Sequence, residues 1–228
     1  MRKRCLFLGF ALAIVPGLAN AQVLYQQTTI DATDRGAFAD FCQQLADDFV
    51  PILSGKVTSV TWQGSYYGTD NPAATESFTI QIFVDNAGLP ADVPLYEIVG
   101  NASKTAAGTL IGKTLYNYAL TVASPVLNAG TTYWISIYTN LPCSNYAWTD
   151  SSDGTANGVV FRTNGGPWVN GGAGTRTNHI FTLNSAQARV VVPAEPIPFL
   201  HPALLVLLAV ALAGLGVARR RTLPIKKD

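Results

Sequence analysis

Alternation with a period of two constrains this chain more than any other feature. Phe78, Ile80, Ile82 and Val84 alternate with Ser77, Thr79 and Gln81. Leu115 to Val122 alternates around Tyr116, Tyr118 and Leu120. Tyr133, Ile135 and Ile137 alternate with Trp134, Ser136 and Tyr138. Successive side chains of a strand point to opposite faces, so each run fits a strand with one apolar side. Further short strands are expected near 57–63, 94–99, 145–149, 158–162 and 178–183, where β-branched and aromatic residues gather. Turn signals separate them: Ser54-Gly55, Asn71-Pro72, Asn86-Ala87-Gly88-Leu89-Pro90, Asn128-Ala129-Gly130 and Asn157-Gly158. Many short strands with frequent turns predict an all-β fold, a single antiparallel β-sandwich of jelly-roll type. One segment is ambiguous. Phe38, Phe41, Cys42 and Leu45 fall at i, i+3, i+4 and i+7, the spacing of a short helix. The alternative is an extended lead-in to a first strand at 46–52.

The two ends of the 228-residue chain read as addresses. Arg2, Lys3 and Arg4 precede the apolar run Cys5 to Leu18, and Ala19-Asn20-Ala21 follows. A basic start, an apolar stretch and a small-x-small site predict a secretory signal peptide over 1–21. Cys5 lies far from that site and is no lipoprotein acylation cysteine. At the other end, residues 199–218 form an apolar run, with His201 near its outer end where a polar ring can reach the interface, that closes on Arg219, Arg220 and Arg221. Twenty residues at about 1.5 Å each match the roughly 30 Å bilayer core. A basic cluster stays cytoplasmic. The expected topology therefore puts 22–190 outside, one transmembrane helix at 199–218 and a basic cytoplasmic tail at 219–228.

Between the strand-rich part and the apolar run lies a proline-rich linker, 191–198. It contains Pro193-Ala194-Glu195-Pro196 and then Ile197-Pro198-Phe199-Leu200. This motif, one apolar helix and the cluster Arg219, Arg220, Arg221 together resemble a bacterial PEP-CTERM sorting tail. Ile197-Pro198-Phe199-Leu200 is similar to the Ile-Pro-Thr-Leu variant of such tails. An alanine interrupts the Pro-Glu-Pro pattern, and the tail beyond the arginines is longer than usual. The resemblance covers about 191–221. It implies an exosortase-like membrane protease as partner, a precursor tethered to the inner membrane, and a product at the cell surface or in the exopolysaccharide matrix of a Gram-negative bacterium. The alternative is a single-span anchor that is never cut. Over about 46–183, with Ala46-Asp47-Asp48-Phe49 at its start and Ala129-Gly130-Thr131-Thr132-Tyr133-Trp134 within it, the chain is similar to ectodomains that recur on sorted bacterial surface proteins. That similarity implies a β-sandwich and no defined activity.

Composition removes some function classes. Charged residues make up only 13%, against about 25% in a typical soluble domain. Between 22 and 198 there are seven Lys or Arg against thirteen Asp or Glu, a net of −6. A surface of that sign repels phosphate backbones, so no nucleic-acid partner is expected. Removal of the signal peptide leaves two cysteines, Cys42 and Cys143, an even count that suggests a disulfide in an exported chain. Two buried thiols are the alternative.

No catalytic constellation emerges. His179 is the only histidine between the two addresses, and no Gly-x-Ser-x-Gly elbow exists. Glu76, Asp85 and Glu97 are available carboxylates, but no spacing singles out a glycosidase pair. The glycine-rich run Asn164 to Gly174 lacks the Gly-Lys-Ser/Thr of a phosphate cradle and reads as a long loop presenting Trp168. Asp47 and Asp48 are the best candidates for a structural calcium ion, with Asp150 and Asp153 as a second set. The plainer reading is turn carboxylates bonded to their own backbone. Trp168, Trp148 and Tyr67 are candidates for stacking on sugar rings, and core packing is the plainer role for Trp148. The sequence therefore points to an exported, non-enzymatic component of the matrix or envelope that binds polysaccharide. A secreted carbohydrate-active enzyme and a purely structural spacer are the alternatives.

Overall fold

A computed structural model describes residues 21–33, 36–68, 76–154, 158–163, 165–170 and 178–186. The expected signal peptide (but for Ala21), the expected sorting motif Pro193 to Pro198, the apolar run 199–218 and Arg219, Arg220 and Arg221 lie outside them. So do Asn164 and residues 171–174 of the glycine-rich run.

The described chain is all-β, with no helix. Its first strands are β1 (Ala21–Gln27), β2 (Ala37–Phe38), β3 (Gln43–Phe49), β4 (Gly55–Lys56), β5 (Ser59–Tyr66) and β6 (Glu76–Val84). Then come β7 (Tyr96–Leu110), β8 (Lys113–Thr121), β9 (Val126–Leu127), β10 (Tyr133–Thr139) and β11 (Tyr146–Trp148). The last are β12 (Asp150–Ser151), β13 (Val160–Thr163), β14 (Val169–Asn170), β15 (Asn178–His179) and β16 (Phe181–Ala186). A 12-stranded sheet runs in the order β1-β16-β5-β8-β7-β6-β10-β3-β13-β14, with β11 added to β5 and β2 to β11. All the strand pairs within it are antiparallel.

The long strand β7 joins two limbs of this sheet. Tyr96 to Ala102 pair with β6, and Ser103 to Leu110 pair with β8. Aromatic rings meet across the limbs. Trp62 of β5 lies 5.1 Å from Phe78 of β6, and Phe49 of β3 lies 6.0 Å from Phe181 of β16. The main core gathers Val60, Trp62, Tyr118, Leu120, Phe181 and Leu183 from one limb. From the other it takes Phe78, Ile80, Ile82, Ile135 and Ile137. Gly64 in β5 leaves room for Tyr146, whose hydroxyl would collide with any Cβ there. That approach lets Trp62 Nε1 donate to Tyr146 Oη at 3.0 Å inside the core.

Two expectations are corrected. The helical spacing of Phe38, Phe41, Cys42 and Leu45 does not make a helix. Residues 39–42 form a tight connection between β2 and β3, and Asp40 Oδ1 accepts from the amides of Cys42 and Gln43. Phe41 is 56% exposed, so the supposed apolar face is not buried. The second correction concerns β10. Its alternation predicts one solvated side, yet every residue of β10 is buried. A second cluster of Ala46, Phe83, Trp134, Val160 and Trp168 covers the outer side of this limb.

Cys42 and Cys143 form a disulfide, with Cα atoms 5.5 Å apart. It ties the start of β3 to the connection between β10 and β11.

Candidate functional site

The outer face of the limb β16-β5-β8-β7 carries a cleft of about 390 Å³. Register places its side chains in two rows. Thr182, Thr61, Ala119 and Ser103 stand side by side on four strands. Gln63, Asn117 and Thr105 form the next row. Ala119 is the smallest side chain in its row, so the face is indented there between Thr61 and Ser103. Thr28 and Ile180 also line the cleft. Gln63 Nε2 donates to Asn117 Oδ1 at 2.8 Å, which fixes both amides across the strands. Gln63 Oε1 is buried and makes no hydrogen bond. The lining contains hydroxyls and amides but no charged group.

That neutrality extends beyond the cleft. Strands β1, β5 and β16 hold no Asp, Glu, Lys, Arg or His. Lys113 is the one charged residue of β8, and it donates to Gly68 O at the end of the strand. Lys104 is the one charged residue in the β7 half that pairs with β8, and it bonds to the buried carboxylate of Glu76.

The residues singled out as sugar-stacking groups are placed elsewhere. Trp148 is fully buried; its Nε1 donates to Ile180 O, and its ring stacks on His179 at 4.6 Å. Trp168 is not displayed by a loop but is 6% exposed. It packs edge-on to Phe83 at 5.5 Å, beneath the guanidinium of Arg162 at 4.3 Å. Tyr67 is half-buried, donates to Gly36 O and lies against Phe38. The two tryptophans offer no free ring face, because burying an aromatic in the core removes more apolar area from water than leaving it on a loop.

Of the acidic candidates, Asp47, Asp48 and Asp150 are buried and Asp153 is half-buried. Asp47 and Asp48 are adjacent in β3 and so face opposite sides. Leu45 and Phe49, on the Asp47 side, belong to the main core, and Ala46, on the Asp48 side, belongs to the outer cluster. Among the described residues no three His, Cys, Asp or Glu side chains gather where a metal ion would sit. Asp153 serves the backbone instead, its Oδ2 accepting from the amides of Thr28 and Thr29. Those bonds hold its carboxyl below the usual range.

Asp47 marks a polar spot that sequence reading missed. Its Oδ2 accepts from the amide of His179 at 2.6 Å. The Gln27 amide fits best with its nitrogen donating to His179 O at 2.8 Å and to Asp47 Oδ2 at 3.2 Å. Asp47 Oδ1 and both ring nitrogens of His179 make no hydrogen bond. His179 Nδ1 lies 3.1 Å from Asp150 Oδ1 but is not aligned for one. Burial pushes the Asp47 carboxyl well above its ordinary 3.8, the amide of His179 pulls it partly back, and the nearby Asp48 adds to the rise. The native state thus holds this proton more tightly than the unfolded chain does. Stability is then greatest below the unfolded value and falls as pH rises through the native one. Asp47→Asn keeps an acceptor for the His179 amide and cannot ionise. It is expected to raise the melting temperature at neutral pH and to change it little near about pH 3. Thermal unfolding across pH checks this, and a melting temperature lowered equally at both ends would contradict it.

The carboxylates weighed as a hydrolytic pair are each engaged. Glu76 accepts from Tyr66 and Tyr118, Asp85 accepts from Trp134 Nε1 and Gly88 N, and Glu97 accepts from Gln81. No family model matches this chain, and no curated protein matches it in sequence.

Proposed function

We propose that this is an exported, surface-sorted protein that acts by binding rather than by catalysis, as a component of the matrix or envelope. Its strand-rich part is read as a jelly-roll-like β-sandwich. The crossing of β7 between limbs and the Trp62–Phe78 contact support that reading. The observation that carries the export is the Cys42–Cys143 bridge, which joins positions 101 residues apart. Disulfides persist in oxidising compartments and are rare in the cytosol. The basic and apolar starts and ends of the chain agree with it. Engagement of Glu76, Asp85 and Glu97 in structural bonds supports a binding role over glycan hydrolysis.

Intact and C-terminal peptide masses from membrane, surface and medium fractions test the sorting. A mature species that begins at Gln22 and ends between Pro193 and Pro198 outside the membrane is expected. A full-length species ending at Asp228 and confined to membranes would remove the sorting step and leave a single-span anchored protein.

A further inference from the structure

We propose that the cleft over Ala119 binds uncharged polysaccharide, and that the amide pair Gln63–Asn117 is its principal contact. This deepens the binding role just proposed and rests on it.

Outward positions of an antiparallel sheet meet water and commonly carry Lys or Glu. Here the outward positions Thr61, Gln63, Asn117, Ser103, Thr105 and Thr182 carry only hydroxyls and amides. Each such group both donates and accepts, as a sugar hydroxyl does. A neutral polymer laid on this face desolvates no charge, so the cost that penalises burial of ions does not arise. The amides are also preorganised. The 2.8 Å bond between Gln63 and Asn117 fixes both planes before a ligand arrives, which lowers the ordering cost of binding.

The same features select against acidic glycans. No cation lines the cleft. The strand-rich part and its linker carry a net of −6, from seven bases and thirteen acids between 22 and 198. A uronate or sulfate would meet repulsion without a compensating ion pair. The lining holds no exposed aromatic platform, since Trp62 and Tyr118 meet the cleft from the buried side. Affinity per site is therefore modest, and a polymer gains by offering the cleft many equivalent registers.

The test is affinity electrophoresis of the full chain in non-ionic detergent. Native gels contain hydroxyethyl cellulose, galactomannan, dextran or alginate. Retardation by at least one of the three neutral polymers and not by alginate is expected. Gln63→Ala combined with Asn117→Ala removes the amide pair and is expected to weaken that retardation about tenfold, the scale of one or two neutral hydrogen bonds. Thr105 is exposed, so Thr105→Glu keeps the fold while placing a charge on the rim. It should weaken retardation similarly. Equal retardation by alginate, unchanged mobility of both variants, or no retardation of the parent by any neutral polymer overturns the inference. The sorting reading stands or falls separately, on the peptide masses.

Discussion

Replacing Cys42 and Cys143 by serine lowers the free energy of unfolding by about 2–5 kcal/mol. The bridge joins residues 101 apart. In the chain-entropy account a loop of about 100 residues contributes roughly 4.7 kcal/mol, near the top of the observed range. One local term works the other way. Cys143 sits at a φ of 47°, in the left-handed region, which costs an ordinary residue about 1–2 kcal/mol. Asn145, two residues on, has a φ of 58°, but asparagine tolerates this region better. Once the bridge is gone, the connection between β10 and β11 can relax and recover part of that cost. The net loss therefore falls below the entropic figure. Guanidinium unfolding of parent and double variant, under non-reducing conditions, measures the difference. A loss under about 0.5 kcal/mol would show that the unfolded chain is already compact around these positions. Retention of native tryptophan fluorescence in the variant separates a weakened fold from a missing one.

The strand framework was legible because its determinants are local. β6, β8 and β10 lie where the alternating runs place them. The pairing of Cys42 with Cys143 followed from the even count of cysteines that remains once the expected signal segment is set aside. The helical spacing at 38–45 misled because three of its four positions answer to other demands. Cys42 is fixed by the bridge, Leu45 by the β3 core position, and Phe38 by its contact with Tyr67. Trp168 misled for a different reason. Glycine and proline around it do signal irregular backbone, but they do not say where that backbone goes. The chain returns along β13 and lays the indole on Phe83. Such a contact joins positions 85 apart and leaves no local trace. The binding face was half visible. Its hydroxyls and amides stand in the polar phase of β5, β8 and β16, and the absence of lysine and glutamate from these strands, Lys113 at the start of β8 apart, was a signal available from sequence. Register alone brings Gln63 to Asn117 and leaves Ala119 as the dent.

The second large effect is expected at Glu76, whose side chain has no exposure. Its Oε2 accepts from Tyr66 at 2.6 Å and from Tyr118 at 3.1 Å, and Oε1 meets Lys104. Burial, above all, raises both tyrosine hydroxyls far beyond their ordinary range, so they remain donors at every workable pH. Removing one partner of a buried ion pair costs about 3–5 kcal/mol when the other charge is stranded. Lys104 is not fully stranded, since 13% of its side chain is exposed and a lysine can turn its head to water. The tyrosines have no such exit. Each hydroxyl left without an acceptor costs roughly 1–3 kcal/mol. Glu76→Ala is therefore expected to lose about 2–5 kcal/mol, carried mainly by the two hydroxyls. Two comparisons separate these causes. Glu76→Gln keeps an oxygen acceptor but not the charge, and should lose less than Glu76→Ala. Tyr66→Phe and Tyr118→Phe placed in the Glu76→Ala background should recover stability, because both stranded donors are then gone. If the phenylalanines recover nothing and Glu76→Gln is as damaging as Glu76→Ala, the charge on Lys104 dominates instead, and this corner of the core is held by an ion pair rather than by its hydroxyls.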